Sequence, residues 1–285
     1  MRERRRHMKV TRSVAAAFLA AGVILSGAAT RACAYRHSSE WTGSFETSGP
    51  AHLEIVNTRG RVEVSGWGGD FIKVRAVVRI KAPSRSEAED IRRRIEFDTG
   101  FDGDSLRIRA LIPRIRMAGI SGEAATAVSV RYSVAVPTRT GLDIETAFGG
   151  ITVAGVEGDF ALDTGDGPVR VESRGGEGTI EASDGDVSCV LLSFPERGRL
   201  EIAASGTVRL GIPPGTGAEL DAEASRGAVE VGPGMSGMTG TERRPAGGVV
   251  GEGAGRIRIS SSGGDIFVGA VRRRGAVAGP PAADR

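Results

Sequence analysis

The chain has 285 residues, enough for one large or two small domains with a core, and 43 of them are glycine, whereas aromatic residues make up only 5%. Residues 1–34 carry seven basic residues and one acidic residue, which leaves 31 basic and 34 acidic residues in the remainder. Such a remainder has no general electrostatic attraction to nucleic acid, so the charge argues against a nucleic-acid-binding protein.

The N-terminus has the pattern of a secretory signal peptide, predicted over residues 1–34. A basic segment (4–12) precedes the apolar run Val14–Ala29, and a small-x-small step then predicts cleavage between Ala34 and Tyr35. A retained membrane anchor is the less favoured alternative, because the apolar run is short for a membrane-spanning helix. We therefore expect an extracytoplasmic protein, located in the periplasm, on the cell surface or outside the cell.

The two cysteines bear on export and on redox chemistry. Cys33 could be the lipid-modified residue of a lipoprotein, which is less favoured because Thr30-Arg31-Ala32 lacks the leucine and small residues of that motif. After cleavage only Cys189 remains, so we expect neither an intramolecular disulfide nor a cysteine-based metal site. Its apolar neighbours predict a small buried side chain.

Residues 35–140 are predicted to form an N-terminal β region. Apolar residues alternate with polar ones in the strand–turn–strand segment Leu53–Val64 and in Ile72–Ile80. One short helix is predicted over residues 84–95, where Ser84 and Glu87 form a capping box. Its arginines lie among acidic residues, which indicates a solvated face rather than a phosphate-binding one.

Residues 141–270 repeat one pattern, for which Leu142–Val171 is the template: a glycine followed by a short apolar–polar–apolar strand. The main repeat glycines after Gly150 are Gly167, Gly185, Gly206 and Gly227. The successive steps between them are 17, 18, 21 and 21 residues. A period near 20 with strand alternation predicts an all-β, β-solenoid-like stack of short strands, and a β-sandwich built of hairpins is the alternative.

Two further segments complete the predicted organisation. The step from Gly227 to Gly264 is 37 residues, and residues 232–253 within it are predicted to be a flexible insertion. Residues 271–285 lose the repeat pattern and are predicted to form a disordered tail.

The order of four segments resembles a bacterial family of exported β-strand-repeat proteins that are often labelled "putative adhesins" and form a domain of unknown function. These segments are Leu53–Val64, Ser86–Ile108, Val134–Val153 and Gly251–Ile266. The resemblance implies an extracytoplasmic, β-solenoid-like fold, and it supplies no known catalytic or cofactor-binding residues.

Candidate residues for chemistry are few. Only His37 and His52 remain after export, which disfavours a catalytic triad or a multi-histidine metal site. Aspartates cluster at the repeat turns, and the candidates for a calcium site are Asp163, Asp166, Asp184 and Asp186. The favoured alternative is that turn aspartates accept hydrogen bonds from backbone amides. We therefore predict no catalytic residue, no cofactor and no metal.

The favoured function is a non-enzymatic, exported cell-envelope or surface protein of the adhesin type that acts as a binding scaffold. Its expected partner is an envelope glycan or protein, with no nucleic acid and no small-molecule substrate; its oligomeric state is left open. The alternatives are a structural or envelope-stress accessory protein and, less favoured, a carbohydrate-active β-helix enzyme using the turn aspartates.

Overall fold

The computed structural model describes residues 35–113, 126–232, 238–239, 246–250 and 254–271. The predicted signal peptide and residues 272–285 of the predicted tail lie outside the described residues. The elements in chain order are β1 (Tyr35–Glu46), β2 (Ala51–Arg59), β3 (Val62–Trp67), β4 (Phe71–Ala82), α1 (Arg85–Arg94), β5 (Glu96–Asp102), β6 (Ser105–Leu111), β7 (Ala127–Pro137), β8 (Thr140–Phe148), β9 (Ile151–Glu157), β10 (Phe160–Asp166), β11 (Val169–Gly175), β12 (Gly178–Asp184), β13 (Val187–Leu191), β14 (Arg199–Ala204), β15 (Val208–Ile212), β16 (Ala218–Ala224), β17 (Val229–Val231), β18 (Met238–Thr239), β19 (Ala246–Val250), β20 (Gly255–Ser261) and β21 (Ile266–Ala270).

The strands form two sheets. The first sheet has the order β1-β4-β7-β3-β9-β11-β13-β15-β21-β17, and the second has the order β18-β19-β16-β20-β14-β12-β10-β8-β2-β6-β5. The repeating unit, which we call a rung, is a strand of the second sheet, a corner and the next strand of the first sheet. Neighbouring rungs pair in parallel, as β8 does with β10 and β9 with β11. The parallel pairing confirms the all-β, solenoid-like prediction over the hairpin-built sandwich, because hairpins would pair antiparallel.

The core lies between the two sheets and is built from columns of aligned apolar residues. In the second sheet, Ile55, Ile144, Leu162 and Ile180 occupy matching register positions on four neighbouring strands, and all four are buried. Every second residue of a strand points away from this core, as the alternating sequence predicts. A single rung cannot bury its apolar face alone, so the stack is what produces the core.

Glycines stack at the corners where the chain passes from the second sheet to the first. Gly149 and Gly167 both have positive φ, +145° and +137°, and they occupy the same corner of successive rungs. The Thr164 hydroxyl donates to the Gly149 carbonyl at 2.8 Å, and it is one of several buried polar side chains at these corners. The threonine lies on the buried face of its strand, so it satisfies a corner carbonyl that no strand partner reaches.

The N-terminal end of the stack is covered by α1 and by aromatic contacts between the two sheets. Trp41 of β1 stacks on Phe97 of β5, with ring centroids 4.9 Å apart. The N-cap half of the predicted capping box is confirmed, since the Ser84 hydroxyl accepts the Glu87 amide at 3.2 Å. The Glu87 carboxylate accepts the Thr126 hydroxyl at 2.7 Å. The boundary predicted at residue 140 does not divide the fold, because β2–β3 forms a rung beside β8–β9 and the described residues belong to one compact unit.

The C-terminal end departs from simple sequential stacking. The rung β20–β21 inserts between β14–β15 and β16–β17, so the last repeat of the sequence is not the last rung of the stack. Residues 232–253, predicted to be a flexible insertion, lie partly outside the described residues; in the described part, β19 pairs antiparallel with β16, and β18 pairs with β19. This long connection lets the chain pass beyond β16, cover its edge and return to the other side.

Candidate binding surface

The outer face of the second sheet carries a row of carboxylates, which we call the acidic row. Asp163 of β10 lies in register between Glu145 of β8 and Glu181 of β12, and Asp143 lies two residues before Glu145. All four side chains are exposed. The parallel registers bring these carboxylates together although they are far apart in the chain, so the stack builds a negatively charged surface.

The four calcium candidates are distributed over two parts of each rung. Asp163 lies on the outer face of β10, whereas Asp166 and Asp184 lie in register at the corner ends of β10 and β12. Asp186 follows the corner and precedes β13. Among the residues that the structure describes, no three His, Cys, Asp or Glu side chains form a group that could hold a metal ion. Calcium binding, the less favoured alternative from the sequence, therefore gains no support from the positions of these residues.

Several aspartates hold neighbouring rungs together through backbone amides. The Asp159 carboxylate accepts the Glu177 amide at 2.9 Å, and the Asp186 carboxylate accepts the Thr207 amide at 2.7 Å. This geometry supports the structural interpretation of the turn aspartates for these two residues, because a carboxylate bound to a rung amide stabilises the corner.

The two histidines lie in different sheets. His37 is in β1 of the first sheet, and His52 is in β2 of the second, where it borders a shallow depression of about 600 Å³ with Asp143, Asp159 and Arg199. Asp159 in this depression is already bound to a rung amide. The depression therefore offers polar contacts on an open surface rather than an enclosed reaction site.

Cys189 is a core residue of the first sheet, as its neighbours in the sequence predict. It lies in register between Val171 and Leu210 and is fully buried. Burial raises the pKa of the Cys189 thiol to about 12, because the charged thiolate would lose its hydration. A thiol in this environment is a poor nucleophile.

We expect the Cys189 thiol of the mature protein (35–285) to react with a disulfide reagent at pH 8 only as fast as the fold opens, and at once in guanidinium. The unfolded thiol ionises near pH 8.5 and the folded thiol near 12. Its contribution to stability is therefore complete below about pH 8.5 and is lost as the pH rises towards 12. A Cys189→Ala blank should show no reaction; rapid stoichiometric labelling of the native protein would contradict the burial.

The predicted cleavage point lies at the first residue that the structure describes. Tyr35 is the first residue of β1, and Ala34 lies outside the described residues. In the part of the chain that the structure describes, no helix is long and apolar enough to span a membrane.

The similarities to known proteins concern the fold and the family. Three solved structures are similar to this chain: a putative cell adhesion protein from Clostridium sporogenes ATCC 15579 (13% identity, 82% of this chain and 100% of that chain covered, TM-score 0.46), a putative adhesin from Bacteroides fragilis NCTC 9343 (10%, 82% and 97%, TM-score 0.20) and a putative lipid binding protein from Parabacteroides distasonis ATCC 8503 (13%, 82% and 97%, TM-score 0.29). No curated protein matches the chain. The family model described as Toastrack DUF4097 matches residues 121–269, more than half of the chain, which confirms the family resemblance drawn from the sequence. The chain therefore belongs to the Toastrack DUF4097 family.

Proposed function

We propose that this protein is a non-enzymatic, extracytoplasmic binding scaffold of the adhesin type, whose outer sheet faces contact an envelope glycan or protein. The observation that carries the proposal is the parallel register of the rungs. It aligns exposed side chains such as Glu145, Asp163 and Glu181 into rows on a broad, rigid surface. The signal-like N-terminus supports export to the envelope.

The binding part of the proposal predicts saturable binding of the mature protein (35–285) to purified envelope fractions or to components of a glycan and protein array. A variant with the acidic row neutralised (Asp143→Asn, Glu145→Gln, Asp163→Asn, Glu181→Gln) tests whether this face takes part. The control neutralises two carboxylates, Glu219 and Glu223, which are exposed on the same sheet face near its other end, and the two variants are compared per charge removed. Absence of saturable binding to every fraction and array would refute the scaffold function.

The export part is tested separately. Cell fractionation should recover the protein outside the cytoplasm, and mass spectrometry should find Tyr35 as its first residue. Recovery of the full-length chain in the cytoplasm would refute export while leaving the binding measurements intact.

A further inference from the structure

A cavity of about 580 Å³ lies at the N-terminal end of the first sheet, where β1, β4 and β7 pair antiparallel. Four cationic side chains line it, and its remaining lining is apolar or neutral apart from one histidine. The cations are Arg36, Arg59, Arg79 and Lys81, and Ser38 and Ser129 lie among them. No carboxylate is among the lining residues, which distinguishes this cavity from the depression beside the acidic row.

The strand registers explain why this cavity exists. Arg79 of β4 lies in register between Ser38 of β1 and Ser129 of β7, and Lys81 lies between Arg36 and Ala127. In the first row a long basic side chain lies between two serines, and in the second row two basic side chains lie beside an alanine. The serines and the alanine therefore leave room that the cations surround.

Arg59 adds the fourth cation from a different sheet. It ends β2, close to the corner that leads to β3, and its guanidinium lies over the Phe148 ring at 4.9 Å from the centroid. This contact limits the freedom of the Arg59 side chain at the rim of the cavity. The cavity thus receives cations from both sheets.

Two carboxylates near these strands are bound to other arginines, and a third, that of Glu87, accepts the Thr126 hydroxyl at 2.7 Å. Glu40 of β1 accepts two hydrogen bonds from Arg75, both at 2.8 Å. Glu89 of α1 is bound by Arg85 at 2.7 Å. Within the described residues, no ion pair neutralises the four cations of the cavity, so their mutual repulsion would be relieved by a bound anion.

We propose that this cavity binds an anion that carries at least two phosphate groups. An arginine guanidinium can donate hydrogen bonds to two phosphate oxygens at once, and serine hydroxyls can donate further hydrogen bonds to the same oxygens. A volume of about 580 Å³ exceeds what one phosphate needs and falls within the range of small-ligand sites. The four positive charges of the cavity are suited to a ligand that carries several negative charges. The inference rests on the proposed binding function, to which it adds a class of ligand.

The test is calorimetric titration of the mature protein with tripolyphosphate at low ionic strength. We expect saturable binding that is about tenfold weaker or undetectable in Arg79→Gln/Lys81→Gln. The matched control is Arg170→Gln/Arg174→Gln, which removes the same charge from exposed positions of β11 on the same sheet face and should change the affinity less than about twofold. If the first pair fails to fold, Ser129→Glu places a carboxylate in the cavity and should abolish binding.

A second arm identifies the source of the phosphates. Vesicles of phosphatidylcholine with and without cardiolipin, a lipid that carries two phosphates, present such an anion on a lipid surface, and the same variants are compared by co-sedimentation. If only the cavity variants lose binding to tripolyphosphate or to vesicles, the proposed site is supported, and the ligand that binds identifies the source of the phosphates. No binding of either ligand, or equal loss in both variant pairs, overturns it. If envelope binding persists while tripolyphosphate and vesicles do not bind, the ligand class is wrong and the proposed function stands.

Discussion

Replacement of Gly167 by alanine should lower the free energy of unfolding of the mature protein by about 3 kcal/mol. Gly167 has a φ of +137°, which an L side chain rarely adopts. A Cβ there would also lie 2.6 Å from the Gly149 carbonyl carbon and 2.9 Å from the Gly150 nitrogen. Both are backbone atoms of the neighbouring rung, so the clash cannot be relieved by the movement of a side chain. Urea unfolding followed by circular dichroism measures the loss.

Two other glycines separate the causes of this effect. Gly215 has a φ of +81° but open space around its would-be Cβ, so Gly215→Ala should cost only about 1 kcal/mol. Gly68 also has open space and no positive φ, and Gly68→Ala should change stability by less than about 0.5 kcal/mol. If Gly167→Ala costs no more than Gly215→Ala, close stacking of the corner glycines is refuted.

Truncation of Ile144 to alanine should also lower the free energy of unfolding by about 3 kcal/mol. The Ile144 side chain is fully buried and lies in register between Ile55 and Leu162. Removing it leaves a cavity that the neighbouring rungs fill only partly, because their strands are held by the parallel ladders on both sides. Denaturant unfolding measures the change.

The matched control is Glu145→Ala on the same strand, where the side chain is exposed and stability should change by less than about 0.5 kcal/mol. Each rung contacts only its neighbours, so hydrogen exchange in Ile144→Ala should accelerate most in β2, β8 and β10. Equal destabilisation by both variants, or uniform acceleration along the stack, would contradict the column of core residues.

Local sequence patterns predict much of the fold. Glycine followed by an alternating strand marked the corners at Gly167, Gly185 and Gly206, because a tight corner and a half-buried strand each need a particular local sequence. The cap at Ser84 and the buried Cys189 followed from their immediate neighbours in the same way. The family resemblance used the order of such signals along the chain, and the family match confirms it.

Signals that depend on pairing partners were missed. The sequence places the repeat at Gly264 after the one at Gly227, yet β21 pairs with β15 on one side and β17 on the other. Strand patterns show which face is buried but do not choose between neighbours of similar pattern. The strand β19 is rich in glycine and has no clear alternation, so its own sequence does not mark it as a strand, and only its pairing with β16 does.

The sequence by itself therefore determined the class of fold, the corners and the exposed positions, since these depend on residues next to one another in the chain. The tertiary structure alone decided which exposed residues meet. Arg36, Arg59, Arg79 and Ser129 surround one cavity only because antiparallel registers and a corner bring four separate segments together. Asp163 joins the acidic row through the parallel pairing of β8, β10 and β12. Register is set by the packing of the whole core, which is why the surfaces that could bind a partner were hidden from the sequence.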